Sequence, residues 1–271
     1  MFLLILLQII ERMKFWLTAF SFIFLIVCGT STTCLGQESA NRFLHWFKDD
    51  PVAMVSEVTP QRLLTVSAVG IGISAIMLHD ASSSKNMQYH YADSPFLDFA
   101  NRWGNWKIAG SVSAGVFATS LLTKNTKFQD AAFTSLQSFL LTKITVNTSK
   151  FLFARQRPYQ NDHPHYFDFM EMGAASFPSG HTATAFALVT PWMMYYPGPL
   201  TYALMAIPVG TAIARVAKGA HWLSDVSAGA AVGFSIARYL SKKHLNLQSN
   251  RIDITPTAGV NNFSLTVNLS F

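Results

Sequence analysis

SFPSGHTATAF, residues 176–186, is the stretch on which the reading of this chain turns. Pro178, Ser179, Gly180 and His181 stand in a row, and an apolar run with helical character comes after them. Serine at a helix start caps free amides, glycine lets the backbone approach a ligand, and the amides themselves form a cradle for an anion. The pattern predicts a helix from about 181 with His181 on its first turn, beside a site suited to phosphate. Taken alone, the tetrapeptide fits a capped helix with a surface histidine equally well.

Composition narrows the choice. Half of the 271 residues are hydrophobic and 13% are charged, too apolar a balance for an ordinary cytosolic protein. The formal net charge of +6 suits an anionic membrane surface or a phosphorylated substrate. There is no basic run or nucleic-acid signature, so no nucleic-acid partner is expected. Met13-Lys14, the apolar FWLTAFSFIFLIVC and the small residues up to Gly36 read as a signal peptide or N-terminal anchor over 1–36. Cleavage near Gly36 would remove Cys28 and Cys34, the two cysteines of the chain, so no disulfide is expected in the mature protein. Residues 37–61 read as a polar linker, 62–245 as a helical domain, and 246–271 as a tail.

Within the domain, apolar segments separated by polar turns predict helices at about 62–79, 107–123, 130–154, 181–196, 199–216 and 224–241. The fold class expected is therefore all-α, a bundle of about six core helices. Gly and Ala scattered through GSVSAGVFATSLL and SDVSAGAAVGFSIA suit close helix packing. The third helix is weak as a membrane span because Gln137, Lys143 and Asn147 fall inside it. Residues 158–177 form a long loop, a place where function concentrates. In the tail, RIDITPTAGV and NNFSLTVNLSF alternate apolar and polar residues around a Gly/Asn turn and predict a short β-hairpin.

Two more clusters carry charge. Lys150 and Arg157 are two helical turns apart, so a helix through both would present them on one face about 10 Å apart before Pro158 ends it. Two cations in so apolar a segment point to an anion, or to a solvent or membrane boundary. In ARVAKGAHWLSD, residues 214–225, His221 and Asp225 are spaced so that the carboxylate can hold one ring nitrogen while the other is free to attack. Arg215 adds a forked donor matched to phosphate oxygens. A His/Asp pair at this spacing also occurs as a plain structural hydrogen bond.

Taken together and in this order, K-x6-R-P, P-S-G-H and R-x5-H-x3-D resemble the signature of the type-2 phosphatidic acid phosphatase and vanadium haloperoxidase superfamily. One position departs: the family usually has serine before the arginine of its third motif, where Ala214 stands here. The resemblance implies a phosphatase acting on phosphate monoesters or diphosphates, with lipid or isoprenoid substrates favoured by the apolar composition. His221 would be the nucleophile, Asp225 would fix its tautomer, and His181 would protonate the leaving oxygen. Lys150, Arg157, Ser179, Gly180 and Arg215 would hold the phosphate. No metal and no cofactor is expected, and His163 and His165 in the long loop are assigned to substrate contact or solvent. Tyr159, Tyr166, Phe167 and Phe169 make that loop a candidate lid or membrane-touching lip.

The alternatives within the same resemblance are a soluble periplasmic acid phosphatase, a vanadate-dependent haloperoxidase and a non-catalytic lipid-phosphate binding protein. Location is expected to be the cell envelope, at the inner membrane with the site facing the periplasm, because Arg238, Lys242 and Lys243 lie at the end of the last helix remote from the site. Three early spans after a cleaved signal would instead bring Arg157 into the cytosol, and the two arguments conflict.

Overall fold

The computed structural model describes residues 34–160, 163–171, 173, 175–246, 252–258 and 263–269. The expected signal segment lies outside the described residues, apart from the start of helix α1 (Cys34–Ser56). The chain divides after Ala53 into two compact units. In the first, α1 occupies much of the stretch expected as a polar linker; Phe43 meets Trp46 edge-on at 5.9 Å, and the Arg42 guanidinium lies over both rings.

The second unit is built from helices whose starts are written locally. α2 (Pro60–Met77) has proline in its first turn and Thr59 accepting from the Arg62 amide. Asn105 and Asn125 cap α5 (Trp106–Ser120) and α6 (Thr126–Phe153) in the same way, at 3.0 and 3.1 Å. α7 (Gly180–Tyr195) and α10 (Leu223–His244) match two further expected helices. The helix expected over 199–216 is divided into α8 (Pro199–Ala203) and α9 (Ala206–Ala217). Between α2 and α5, α3 (Asp80–Tyr91) and α4 (Pro95–Trp103) add to the expected set. Two tail strands, Ile252–Ala258 and Phe263–Leu269, pair antiparallel along the backbone.

α6 ends, and α7 and α10 begin, at one end of the bundle, which is where all three sequence clusters lie. The opposite end is tied by Thr134 of α6, whose hydroxyl bonds the His244 ring at 2.7 Å and the Tyr195 hydroxyl at 3.2 Å. Of the polar residues that weaken α6 as a span, Gln137 is taken up in this packing, whereas Lys143 is half-buried and Asn147 exposed. Gln137, Thr134, Ser135 and Thr142 are buried, and Ser135 donates to the Leu188 carbonyl of α7 at 2.9 Å. A helix can carry such groups when its polar side faces other helices rather than lipid.

α7 lies against α10 with almost no side chain between them. A Cβ placed on Gly229 would stand 2.4 Å from the Ser179 carbonyl oxygen, and one on Gly233 would stand 2.1 Å from that of Ala183. Only hydrogen fits at either place, which is why small residues four apart recur in α10.

At the other extreme, α2 is an 18-residue apolar helix with no buried residue. Among the described residues it and the Pro199–Ala217 stretch are the helices long and apolar enough to cross a membrane. α5, at 15 residues, spans only about 22 Å at 1.5 Å per residue.

This packing sets two expected stability outcomes. Gly233→Val should force α7 away from α10 and cost on the order of 1–3 kcal/mol, read as a lower Tm in detergent. Ala154 ends α6 in the left-handed region at φ 40°; Ala154→Gly relieves that strain and should raise stability by about 1 kcal/mol. An unchanged Tm for the first variant would contradict the close backbone contact.

Candidate active site

The three clusters converge through the backbone before any side chain is considered. The Ser179 amide, one residue ahead of α7, donates to the Asp225 carbonyl at 2.9 Å, locking the start of α7 to the first turn of α10. The stem of Lys150 comes close to Gly180: a Cβ on that glycine would stand in ordinary contact, 3.9 Å, with the lysine Cε. The carbonyl of Ala175 accepts from both Lys150 Nζ and, at 3.3 Å, Arg157 Nη2. Arg157 Nη1 reaches the Ala220 carbonyl at 3.2 Å. Arg215, in the last turn of α9, accepts at its carbonyl from the His221 amide at 3.2 Å, and Gly219 turns the chain between them at φ +62°.

One expectation about these cations needs correction. α6 stops at Phe153, and residues 155–157 run extended, so Lys150 and Arg157 do not share a helical face. They meet by pointing at the same carbonyl from different backbone conformations. Pro158 is not the terminator; the left-handed Ala154 is.

His221 and Asp225 also differ in detail from a pair on one helical turn. His221 precedes α10, whose N-cap is Trp222. Asp225 stands in the first turn and accepts from the Trp222 amide at 2.9 Å through Oδ2. The same oxygen lies 3.5 Å from His221 Nδ1, and both side chains are buried. That separation is long for a hydrogen bond, and Nδ1 has no other partner among the described residues. Catalytic hydrogen bonds of empty sites commonly tighten when charge develops.

Ser179 is the N-cap of α7, but its hydroxyl makes no cap bond; it pairs with Thr182 Oγ1 at 3.1 Å and is fully buried. The helix amides beyond it are therefore not consumed by a capping side chain. His181 stands next to them, and Gly104 is pressed so closely on it that a Cβ there would lie 2.8 Å from the histidine Cβ. Ala214 is buried with Leu97 and Ala217, so this position is an apolar contact here.

Burial first, and the cations after it, favour the neutral form of both imidazoles. Burial, reinforced by Lys150, Arg215 and Arg157, holds His221 well below the ordinary histidine range. Burial and the same group of cations, Arg215 foremost, push His181 down to about 3. Both shifts favour the neutral ring, the form in which an imidazole nitrogen is nucleophilic.

Sequence reading missed several members of this environment. Arg155, two residues before Arg157, is fully buried and touches Asp225, Ser224 and Asp80. Asp80 begins α3, a polar helix with no apolar periodicity to announce it. Asn101 of α4 accepts from Arg215 at 3.3 Å. The nearest signal was the doubled arginine of ARQRP, residues 154–158, which gave no hint that its first arginine turns inward. The long loop is pinned at its base. Gln156 and Asp168 amides bond the Tyr166 and Ala154 carbonyls, and Ser176 bonds back to Arg155 and Gln156. Tyr159, Tyr166 and Phe169 are exposed along it, as are His163 and His165.

Over 94 residues, 34% of its length, this chain is 37% identical to a lipid A 1-phosphatase of Porphyromonas gingivalis, and the match spans 19% of that protein's length. A crystal structure described as the first transmembrane PAP2 type phosphatidylglycerolphosphate phosphatase, from Bacillus subtilis, superposes with a TM-score of 0.53 at 17% identity, covering 68% of this chain and 98% of that one. At that identity the likeness establishes the shared all-α fold. The PAP2 superfamily model matches residues 131–248, which contain Lys150, Arg157, His181, Arg215, His221 and Asp225. Over residues 131–248 this chain is thus similar to the PAP2 superfamily.

Proposed function

We propose that this protein is a metal-independent lipid phosphatase that works through a phosphohistidine on His221. The observation carrying the reading is the meeting of three separated motifs at one end of the bundle: a buried neutral histidine backed by Asp225, a second histidine at a helix start, and three cations around them. His221 Nε2 attacks phosphorus while Asp225 takes up the charge that appears on the ring. Lys150, Arg157, Arg215 and the amides after Ser179 hold the non-bridging oxygens and absorb the developing charge. His181 gives its proton to the leaving oxygen, then takes one from the water that cleaves the phosphoenzyme. Burial first and the cations after it, Arg215 foremost, hold His181 down, and an arriving phosphate dianion offsets the cationic part, which favours the acid form with substrate bound.

The lipid part of the reading is supported by the bare apolar face of α2 and by the two relatives, both of which act on lipid phosphates by their descriptions. Leu64, Val66 and Ile71 are each about two-thirds exposed or more, an arrangement suited to acyl chains rather than water. Orientation belongs to the same proposal. α2 begins beside the remote end of α10, where Arg62 lies over the Tyr239 ring at 4.8 Å, and it ends next to Asp80 at the site. Arg238, Lys242 and Lys243 mark that remote end as cytosolic by the positive-inside tendency, which puts the site on the periplasmic side. The chain then enters α2 from the cytosolic side, and the conflict over Arg157 disappears. The tail hairpin as a unit separate from the catalytic helices, and the domain limits 62–245 and 246–271, are part of the same proposal.

Folded His221→Ala should lose turnover by several orders of magnitude, whereas His181→Ala should retain slow release from substrates with good leaving groups. Activity should persist in excess EDTA and be inhibited by vanadate, a mimic of five-coordinate phosphorus; Mg²⁺-dependent recovery from EDTA would oppose the mechanism. The depressed histidines predict that nitrogen NMR of the ligand-free protein finds both imidazoles neutral at pH 6, below the ordinary value near 6.5. Vanadate should then move His181, not His221, toward the charged form. Finally, kcat/KM should be higher for a lipid phosphate in detergent than for a small soluble phosphomonoester, since each buried methylene contributes about 0.8 kcal/mol; equal values would remove the lipid assignment.

A further inference from the structure

The guanidinium of Arg155 is enclosed on every side. Nη1 donates to Asp225 Oδ1 at 2.6 Å and to Ser224 Oγ at 2.7 Å; Nη2 donates to Asp80 Oδ2 at 2.8 Å and to the Pro164 carbonyl at 2.5 Å; Nε donates to that carbonyl at 2.8 Å. All five N–H groups of the fork are thereby used. The faces are covered as well, by the Phe167 ring at 5.4 Å and the Trp222 ring at 5.6 Å. Asp80 is held in turn by the Ser224 amide at 2.9 Å and the Ser224 hydroxyl at 2.5 Å. Arg155, Asp80 and Asp225 are each fully buried.

We propose that Arg155 and Asp80 are positioning residues for the nucleophile: they hold the Asp225 carboxylate in one orientation and so select the His221 tautomer protonated at Nδ1, leaving Nε2 free. The inference rests on His221 being the attacking group. Its physical basis is the weak direct contact between the two catalytic side chains. At 3.5 Å the histidine does not orient the carboxylate. Arg155 on Oδ1 and the Trp222 amide on Oδ2 do. Asp80 keeps the guanidinium from swinging away, and the two carboxylates against one guanidinium leave a net negative charge facing a ring that becomes positive during the reaction. Pro164 extends the same grip to the long loop, so the loop's base and the nucleophile share one anchor.

The test compares wild type with Asp80→Asn and Ser224→Ala. Arg155→Ala is avoided because it would strand two buried carboxylates and threaten folding, whereas Asp80→Asn leaves Arg155 and Asp225 as a balanced pair. Each variant should lower kcat by about ten-fold with KM and vanadate inhibition nearly unchanged, as expected for groups that orient a reacting side chain without touching the phosphate. In nitrogen NMR, wild-type His221 should be protonated at Nδ1, and Asp80→Asn should shift the ring toward a mixture of tautomers. This signature is read in the protein without substrate, so it stands even if the phosphatase reading fails in the wild type. A pure Nδ1–H tautomer in both variants, or a fall in vanadate affinity parallel to the fall in kcat, would overturn the positioning role.

Discussion

The contact on which the rest depends is the backbone of α7 lying directly on the glycine face of α10. Ser179 donates to the Asp225 carbonyl, and Gly229 and Gly233 offer no Cβ to hold the helices apart. Because His181 begins one of these helices and His221 stands immediately before the other, their separation is set by backbone packing. Flexible side chains have little part in it. The two histidines are thereby held by groups that the fold has already ordered.

Charge at the site is arranged in two tiers. Lys150, Arg157 and Arg215 face the space beside the two histidines and, together with burial, favour the neutral form of both imidazoles. Behind His221 lies the opposite sign, Asp225 and Asp80 clamped by Arg155. A positive front suits an anion, and a negative back would stabilise positive charge on the His221 ring. Burial makes both tiers effective, because few water molecules are available to screen them.

Polarity across the bundle is divided just as sharply. α6 turns Thr134, Ser135, Gln137 and Thr142 inward, where neighbouring helices meet them, while α2 is apolar yet has no buried residue. In water that exposure would be unfavourable over a long helix. In a bilayer it is the ordinary condition, and polar groups belong inside. The inverted distribution is a physical argument for membrane association that average hydropathy conveys only faintly.

Much of this was legible in the residues themselves. Apolar runs between polar turns located α2, α5, α6, α7 and α10, and the types and spacing of Lys150, Arg157, His181, Arg215, His221 and Asp225 carried the chemistry, because phosphate recognition demands forked cations, free amides and a backed imidazole. Local sequence could not reveal that α6 ends at a left-handed Ala154, since alanine is a good helix former. The split between α8 and α9 was equally hidden. Nor could it reveal α3, whose polar composition has no helical period, or that Asp80 reaches across 75 positions to Arg155. An isolated aspartate and an arginine in a basic motif each look solvated when read along the chain. Only tertiary packing excludes the water around them, and that exclusion turns two ordinary charges into a buried clamp on the Asp225 carboxylate behind His221.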